Sequence, residues 1–195
     1  MKVYIHNPTI SKFGKLDDTV YSLSVDTAKR ALKGFDKDRI EFLIFTSFAP
    51  ESYTKEFHLA AKLASALQLD QIFAIRTESA SSSGASAVQI ACRLIQSGAF
   101  KTGIVIGTEV MSRLNRQDSN EILGSVLSDT QNKYGMFMAH GGAMIANRYL
   151  YDYAYTRDEL YSISKKVHDN GLNNPNAPSL ATQWNGVKTQ FFLYF

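Results

Sequence analysis

RIEFLIFTSF, residues 39–48, constrains the fold more than any other stretch, because its apolar residues run almost without a break. A strand with one wet face alternates apolar and polar side chains, whereas a strand covered on both faces has no such need. This run therefore reads as a strand with both faces covered, the habit of parallel sheets flanked by helices. QIFAIRT (71–77) and TGIVIGTEVM (102–111) are further short apolar runs, and VYIH (3–6) reads as an opening strand.

Helical patterns separate these runs. SLSVDTAKRALKGF (22–35) starts at a Ser or Asp cap and spaces Val25, Ala28, Leu32 and Phe35 along one face. FHLAAKLASALQL (57–69) places Leu59, Leu63, Ala66 and Leu67 together, and SSSGASAVQIACRLIQSG (81–98) is rich in small residues suited to close packing. The order strand, helix, strand, helix, strand, helix, strand predicts an α/β fold, its sheet mostly parallel and its crossovers right-handed.

The pattern changes after Met111. Residues 112–135 are polar and too long for a simple connector, so they read as a functional loop or the start of a subdomain. Helical spacing returns over 136–154, weakened by Gly141 and Gly142 at about 1 kcal/mol each. Residues 156–171 form a helix opened by a Thr156–Glu159 capping box and stopped at Gly171. Pattern is lost over 179–195, and the closing FFLYF suggests a truncated or frame-shifted end.

Composition narrows the function classes. Charged residues make up 20% and the net charge is +3, with no Lys/Arg cluster interleaved with aromatics, so nucleic acid is not an expected partner. One cysteine, Cys92, excludes a disulfide framework and Cys-rich metal sites, and no histidine pair has metal-ligand spacing. No secretory leader or membrane-length apolar run is present, so a soluble cytoplasmic protein is the expectation.

The chemistry concentrates in TESASSSGASA (77–87), at the carboxyl end of a strand and the amino end of a helix. Ligand sites of open α/β sheets gather at that end, and a helix amino terminus stabilises an anion. The serines can simply cap the helix. Phosphate cradling lacks GxGxxG and GxxxxGK[ST], and a nucleophile elbow lacks GxSxG. An acyl-transfer site is the remaining option, at a position usually held by cysteine.

The run ESASSSGASAVQIACRLIQSGAFKTGIVIGTEVMS resembles the nucleophile region of the thiolase superfamily, which reads E-S/A-A-C-x-S-G, a small-residue helix, then G-x-E-x-M-S/T. Glu78, Ser79, Ala80, Ser83, Gly84, Gly107, Glu109, Met111 and Ser112 match that pattern. VYIHNPTISKFGK is similar to the family's opening strand and turn, and TRDELYSISKKVHDNGLNNPNAP resembles the helix and N-P turn of thiolases related to lipid-transfer proteins. The similarity covers roughly residues 1–178. It implies a thiolase-like amino-terminal half: a mostly parallel mixed sheet with helices on both faces (1–111), a partial loop subdomain (112–135) and a helical continuation (136–178).

The departure from the family pattern is as informative. The family's nucleophilic cysteine aligns with Ser81, and the resemblance places a G-H-P histidine and a C-x-G cysteine in a carboxyl-terminal half of similar fold. Thioester exchange needs a nucleophile ionised near neutral pH, and a thiol of pKa about 8.5 meets that need far better than a hydroxyl. The helix dipole, worth about 1 kcal/mol, does not close the gap, so Ser81 needs an adjacent base. Cys92 lies eleven residues along the same helix, roughly 16 Å away at the standard rise, and reads as a small buried residue.

His6 and His58 read as structural or surface groups, and His140 and His168 are weaker catalytic candidates. Met111, Met136 and Met138, with Met144, are candidates to line an acyl-chain pocket, His168 joining them, although such methionines are more often plain core. By resemblance the substrate is an acyl-CoA or other acyl thioester, no cofactor is needed, and the loop segment helps hold coenzyme A. A homodimer or a complex with a partner subunit follows from the same source. Three functions stay open: an acyl-CoA acyltransferase for Claisen-type condensation or thiolysis of 3-ketoacyl thioesters, a non-catalytic acyl-CoA-binding or partner subunit, and an inactive fragment.

Overall fold

The computed structural model describes residues 2–177. The chain divides into two compact units: one takes in the amino terminus to Ser11 and Lys15–Leu114, the other Lys12–Gly14 and the chain from Asn115 onward. The expectation for 179–195 lies outside the described residues.

The first unit is built on three parallel strands, β1 (Phe42–Thr46), β2 (Phe73–Thr77) and β3 (Gly103–Gly107), in the order β2-β1-β3. The apolar run at 39–48 occupies the centre, as its lack of alternation predicts. Every residue of β1 is buried, with Phe42 level with Phe73 and Gly103, and Thr46 level with Thr77 and Gly107. Strand pleating sends alternate side chains to opposite faces. Leu43 and Phe45 join Ile104 and Ile106 against helices α1 (Val20–Ala31) and α3 (Leu59–Ala66). Phe42 and Ile44 pack on the other face against Ala87 and Ala91 of helix α4 (Ser83–Gln96). Those alanines, with Ser83, fall four residues apart, so α4 lays a line of small side chains on the sheet.

Three local differences from the sequence pattern have physical causes. Helix α1 begins at Val20 because Thr19 forms a capping box with Ser22, each backbone N–H donating to the other's hydroxyl at 3.0 Å. Residues 3–6 are not a strand, since a strand exists only by pairing and no described strand pairs with them; Tyr4 and Ile5 are exposed. After β1 the chain makes a short helix, α2 (Pro50–Thr54), where proline's fixed φ suits the first helical position.

The second unit is helical. The polar segment 112–135 contains α5 (Arg116–Gly124), capped by Asn115, and α6 (Asp129–Lys133), capped by Ser128. Its lack of strand periodicity thus reflects short helices rather than an open loop. Helices α7 (Met138–Tyr153) and α8 (Arg157–Leu172) follow, the latter opened by the expected Thr156–Glu159 capping box. Phe13 of this unit donates its backbone N–H to the Asn176 carbonyl at 2.8 Å.

Candidate active site

Strand β2 ends at Thr77, and the chain turns through Ala80–Ser82 as one turn of 3-10 helix before α4 starts at Ser83. Ala80 sits at φ +47°, in the left-handed region that costs an L-residue about 1–2 kcal/mol. Local hydrogen bonds hold it there. Its N–H donates to the Glu78 carboxylate, and its carbonyl accepts the Ser83 hydroxyl at 2.6 Å. The Ser83 oxygen in turn accepts the Ser79 N–H at 2.9 Å, so buried Ser83 pins both ends of the turn.

The remaining serines are engaged with one exception. Ser79 shares hydrogens with Ser82 at 3.0 Å and Ser86 at 2.6 Å, and Ser82 also donates to the Ser79 carbonyl at 2.7 Å. The Ser81 hydroxyl has no hydrogen-bond partner among the described residues and stands exposed. The helix-capping reading therefore fails for Ser81 in particular: its neighbours build the turn, while its own hydroxyl is presented outward one residue before the cap of α4.

A polar cluster closes the carboxyl ends of the three strands near this turn. Glu109, two residues past β3, accepts the Phe48 N–H at 2.5 Å. Arg76 on β2 donates to the Ser47 and Phe48 carbonyls at 3.2 and 3.1 Å and pairs with Glu51 of α2. Thr46 donates to the Thr77 carbonyl at 3.0 Å. Burial lifts the Glu109 carboxyl above its ordinary value of 4.5. The Phe48 N–H, the Ser47 hydroxyl, the Ala49 N–H and the Arg76 charge oppose that shift without cancelling it. Ser47 lies close enough to favour the charged form yet completes no hydrogen bond of normal geometry. Burial, then the Glu109 charge, raises the Tyr53 phenol.

The other candidates fall as follows. Met111, half-buried, lies four residues beyond β3, in the same unit as Ser81. Half-buried Met136 precedes α7 and exposed Met138 opens it, both in the second unit with His168. The His168 Nδ1 lies 2.7 Å from the Ser164 carbonyl of its own helix. His140 Nδ1 accepts the Phe137 N–H at 2.9 Å, capping α7. Cys92 is a free thiol, half-buried on α4 rather than sealed in the core. Among the described residues no group of three or more His, Cys, Asp or Glu side chains is placed to hold a metal ion, and no helix is long and apolar enough to cross a membrane.

A three-layer unit whose strand β2 leads into a serine-built turn at the start of a small-residue helix defines an α/β protein, with the Ser81 hydroxyl exposed at that turn. The chain belongs to the thiolase family: the family model described as the thiolase N-terminal domain matches residues 8–183. It is similar to an acetyl-CoA acetyltransferase of Methanocaldococcus jannaschii, 28% identical over 168 residues, covering 84% of this chain and 42% of that protein. A beta-ketoacyl-[acyl-carrier-protein] synthase III of Streptococcus pyogenes is 33% identical over 105 residues, 52% of this chain and 32% of that one. The solved 3-oxoacyl-[acyl-carrier-protein] synthase III of Aquifex aeolicus aligns over 52% of this chain and 34% of that one, with 24% identity and a TM-score of 0.46. The chain thus spans less than half the length of these relatives.

Proposed function

We propose that this chain carries a thiolase-type acyl-CoA site in which Ser81 holds the nucleophile position, and that it binds an acyl thioester without transferring the acyl group by itself. The reaction to which the site belongs is 3-ketoacyl-CoA thiolysis or its reverse, Claisen condensation. Ser81's exposed hydroxyl, unpartnered among the described residues, carries the reading. A hydroxyl attacks a thioester only if a base takes its proton, and among the described residues none bonds to Ser81. The ring nitrogens Nδ1 of His140 and His168 are each engaged within their own helix region.

A cysteine in the same place needs less help, because its thiolate forms near neutral pH and the start of α4 favours the anion. Its sulfur attacks the thioester carbonyl, the bond to the coenzyme A sulfur breaks, and the departing thiolate takes a proton from solvent. The family's usual chemistry and the oxygen found here therefore differ by one atom. A partner-subunit role is the second reading, favoured by the same unpartnered hydroxyl. Homodimerisation is proposed through the side of the sheet where β2, among the described strands, pairs only with β1 and exposes Phe73.

Calorimetry with acetyl-CoA and acetoacetyl-CoA, joined to mass spectrometry of the chain after incubation, tests the proposal. The expected pair of results is binding with no added acyl mass on the native protein, and an acetyl adduct on the introduced thiol of the S81C variant. An acyl-serine on the native chain, or no binding by either protein, refutes it.

A further inference from the structure

Past the end of the ladder, side chains tie the strand that leads into the Ser81 turn to the central strand, and both backbone groups of Phe48 take part. Phe48 lies two residues beyond β1, past the point where the parallel ladder pairs Thr46 with Thr77 and Gly107. Its N–H goes to Glu109, from the β3 side, at 2.5 Å. Its carbonyl goes to Arg76, on β2, at 3.1 Å. The two neighbours of the central strand thus hold the donor and the acceptor of one residue, extending the cross-sheet connection beyond its backbone bonds. Arg76 stands five positions before Ser81, and the intervening Thr77 carbonyl is tied to Thr46.

This clamp contains more polar capacity than local packing uses. Glu109 Oε1, Arg76 Nε, Thr77 Oγ1 and the Tyr53 hydroxyl are buried without a hydrogen-bond partner among the described residues. They lie beside the Glu109–Phe48 and Arg76–Phe48 bonds at the carboxyl end of the sheet, so the clamp is a polar cluster within a buried setting. The charged and titratable groups facing Glu109 are Arg76 from β2 and Tyr53 from α2, and Glu51 of α2 neutralises the far side of the Arg76 guanidinium.

We infer that Glu109 is a positioning residue whose ionised carboxylate, acting through Phe48 and Arg76, sets the turn that carries residue 81. The inference rests on the thiolase-type reading of that turn, but its test does not depend on acyl transfer. An ionised carboxylate accepts the Phe48 N–H as a charge-assisted bond, roughly twice as strong as a neutral one. Protonation weakens that bond and lets the Phe48 backbone and the end of β2, which Arg76 ties to it, relax together.

The test uses the full chain carrying S81C and C92A, so that a single thiol reports the turn. Its reaction with dithiodipyridine, which proceeds in mildly acidic solution, is followed across pH beside hydrogen exchange of the Phe48 amide and residues 78–83. With Glu109 present, the rate profile has an inflection belonging to Glu109 below that of the thiol. E109Q keeps an acceptor oxygen but cannot ionise, and removes the lower inflection while leaving the thiol's own. E109A frees the Phe48 amide, whose exchange rises about tenfold, as expected for loss of a charged hydrogen bond, and exchange in 78–83 rises with it. R76K, which offers no planar fork to two carbonyls, accelerates exchange at the same residues if E109A proves too unstable to study. A lower inflection that survives E109Q, or exchange at 78–83 that neither E109A nor R76K alters, overturns the inference. Failure of the S81C chain to take up an acyl group bears on the proposed function alone.

Discussion

Gly103 is the position where one added carbon does most damage, and the geometry fixes the size of the effect. It lies directly opposite Phe42 in the parallel pairing of β1 and β3. A Cβ built on it falls 2.2 Å from Cε2 and Cζ of the Phe42 ring and 2.4 Å from Cε1. Contacts under 3.0 Å are essentially never found, so the ring must retreat by about 0.8 Å or more in an interior packed as densely as a crystal. It has nowhere to go: Phe42 is 1% exposed, packed with Ala87 and Ala91 of α4 and meeting Phe100 edge-on at 5.5 Å. Overpacking costs about 1–3 kcal/mol, and a rigid ring enclosed on this side places G103A near about 3 kcal/mol. For a chain of this size each kcal/mol lowers Tm by about 2–4 °C, so a fall of about 6–12 °C is expected. Urea unfolding followed by circular dichroism measures the free energy. F42L, which removes the colliding ring edge, should rescue part of the loss, with a coupling of at least about 1 kcal/mol in the double-mutant cycle. A G103A protein within about 0.5 kcal/mol of native, or strict additivity with F42L, refutes the packing argument.

Further expectations concern caps and charges. Replacing Thr19 by alanine removes the side chain that holds the first turn of α1 and should cost about 1 kcal/mol in urea unfolding. Glu109, raised by burial, stabilises the fold most below its unfolded pKa and loses that contribution as pH rises through its higher folded value. E109Q should therefore flatten the fall in native stability above pH 4.5, read as urea midpoints across pH. Glu41 has the opposite sign. Its carboxylate accepts the Lys101 and Thr102 N–H groups, chiefly the first, which lowers its pKa. Its contribution is present above the unfolded value and fades as pH falls through the lower folded one, so E41Q should lose stability at neutral pH but not in acid.

The interior of the sheet was legible because burial on both faces leaves a compositional mark: β1 is apolar throughout its first four residues, and all five of its residues are buried. The partners of that strand were legible for the same reason. VYIH carries an equally good strand composition, yet Tyr4 and Ile5 stand exposed, because pairing is a property of two segments and only one is written there. Clamp residues Arg76 and Glu51 left no trace in periodicity. A polar side chain that reaches past the end of a ladder obeys no repeat, and Arg76 meets Glu51 from twenty-five positions away. Glu109 was visible only as a letter of the G-x-E-x-M-S pattern, and the structure supplies the reason for it in the Phe48 N–H.

At the turn itself the same distinction separates scaffold from chemistry. Motif letters at Ser79, Ala80 and Ser83 correspond to a defined local task. Ser79 and Ser83 bond to hold the turn, and Ala80 sits in a left-handed conformation that only such bonding keeps in place. Among the described residues Gly84 has nothing within 4 Å of where a Cβ would stand, so crowding among them does not explain its match to the motif. Strain of this kind persists where surrounding interactions over-determine it, and it costs stability without serving packing. Positive φ at a helix start is not confined to this turn, since His58 before α3 also sits at φ +58°; what sets this turn apart is that Ser81 has no hydrogen-bond partner among the described residues while its neighbours exchange hydrogen bonds. The bonds that hold Ala80 thus leave the residue 81 side chain exposed and unpartnered among the described residues, and under the proposed function the chemistry there turns on one atom, oxygen in place of sulfur.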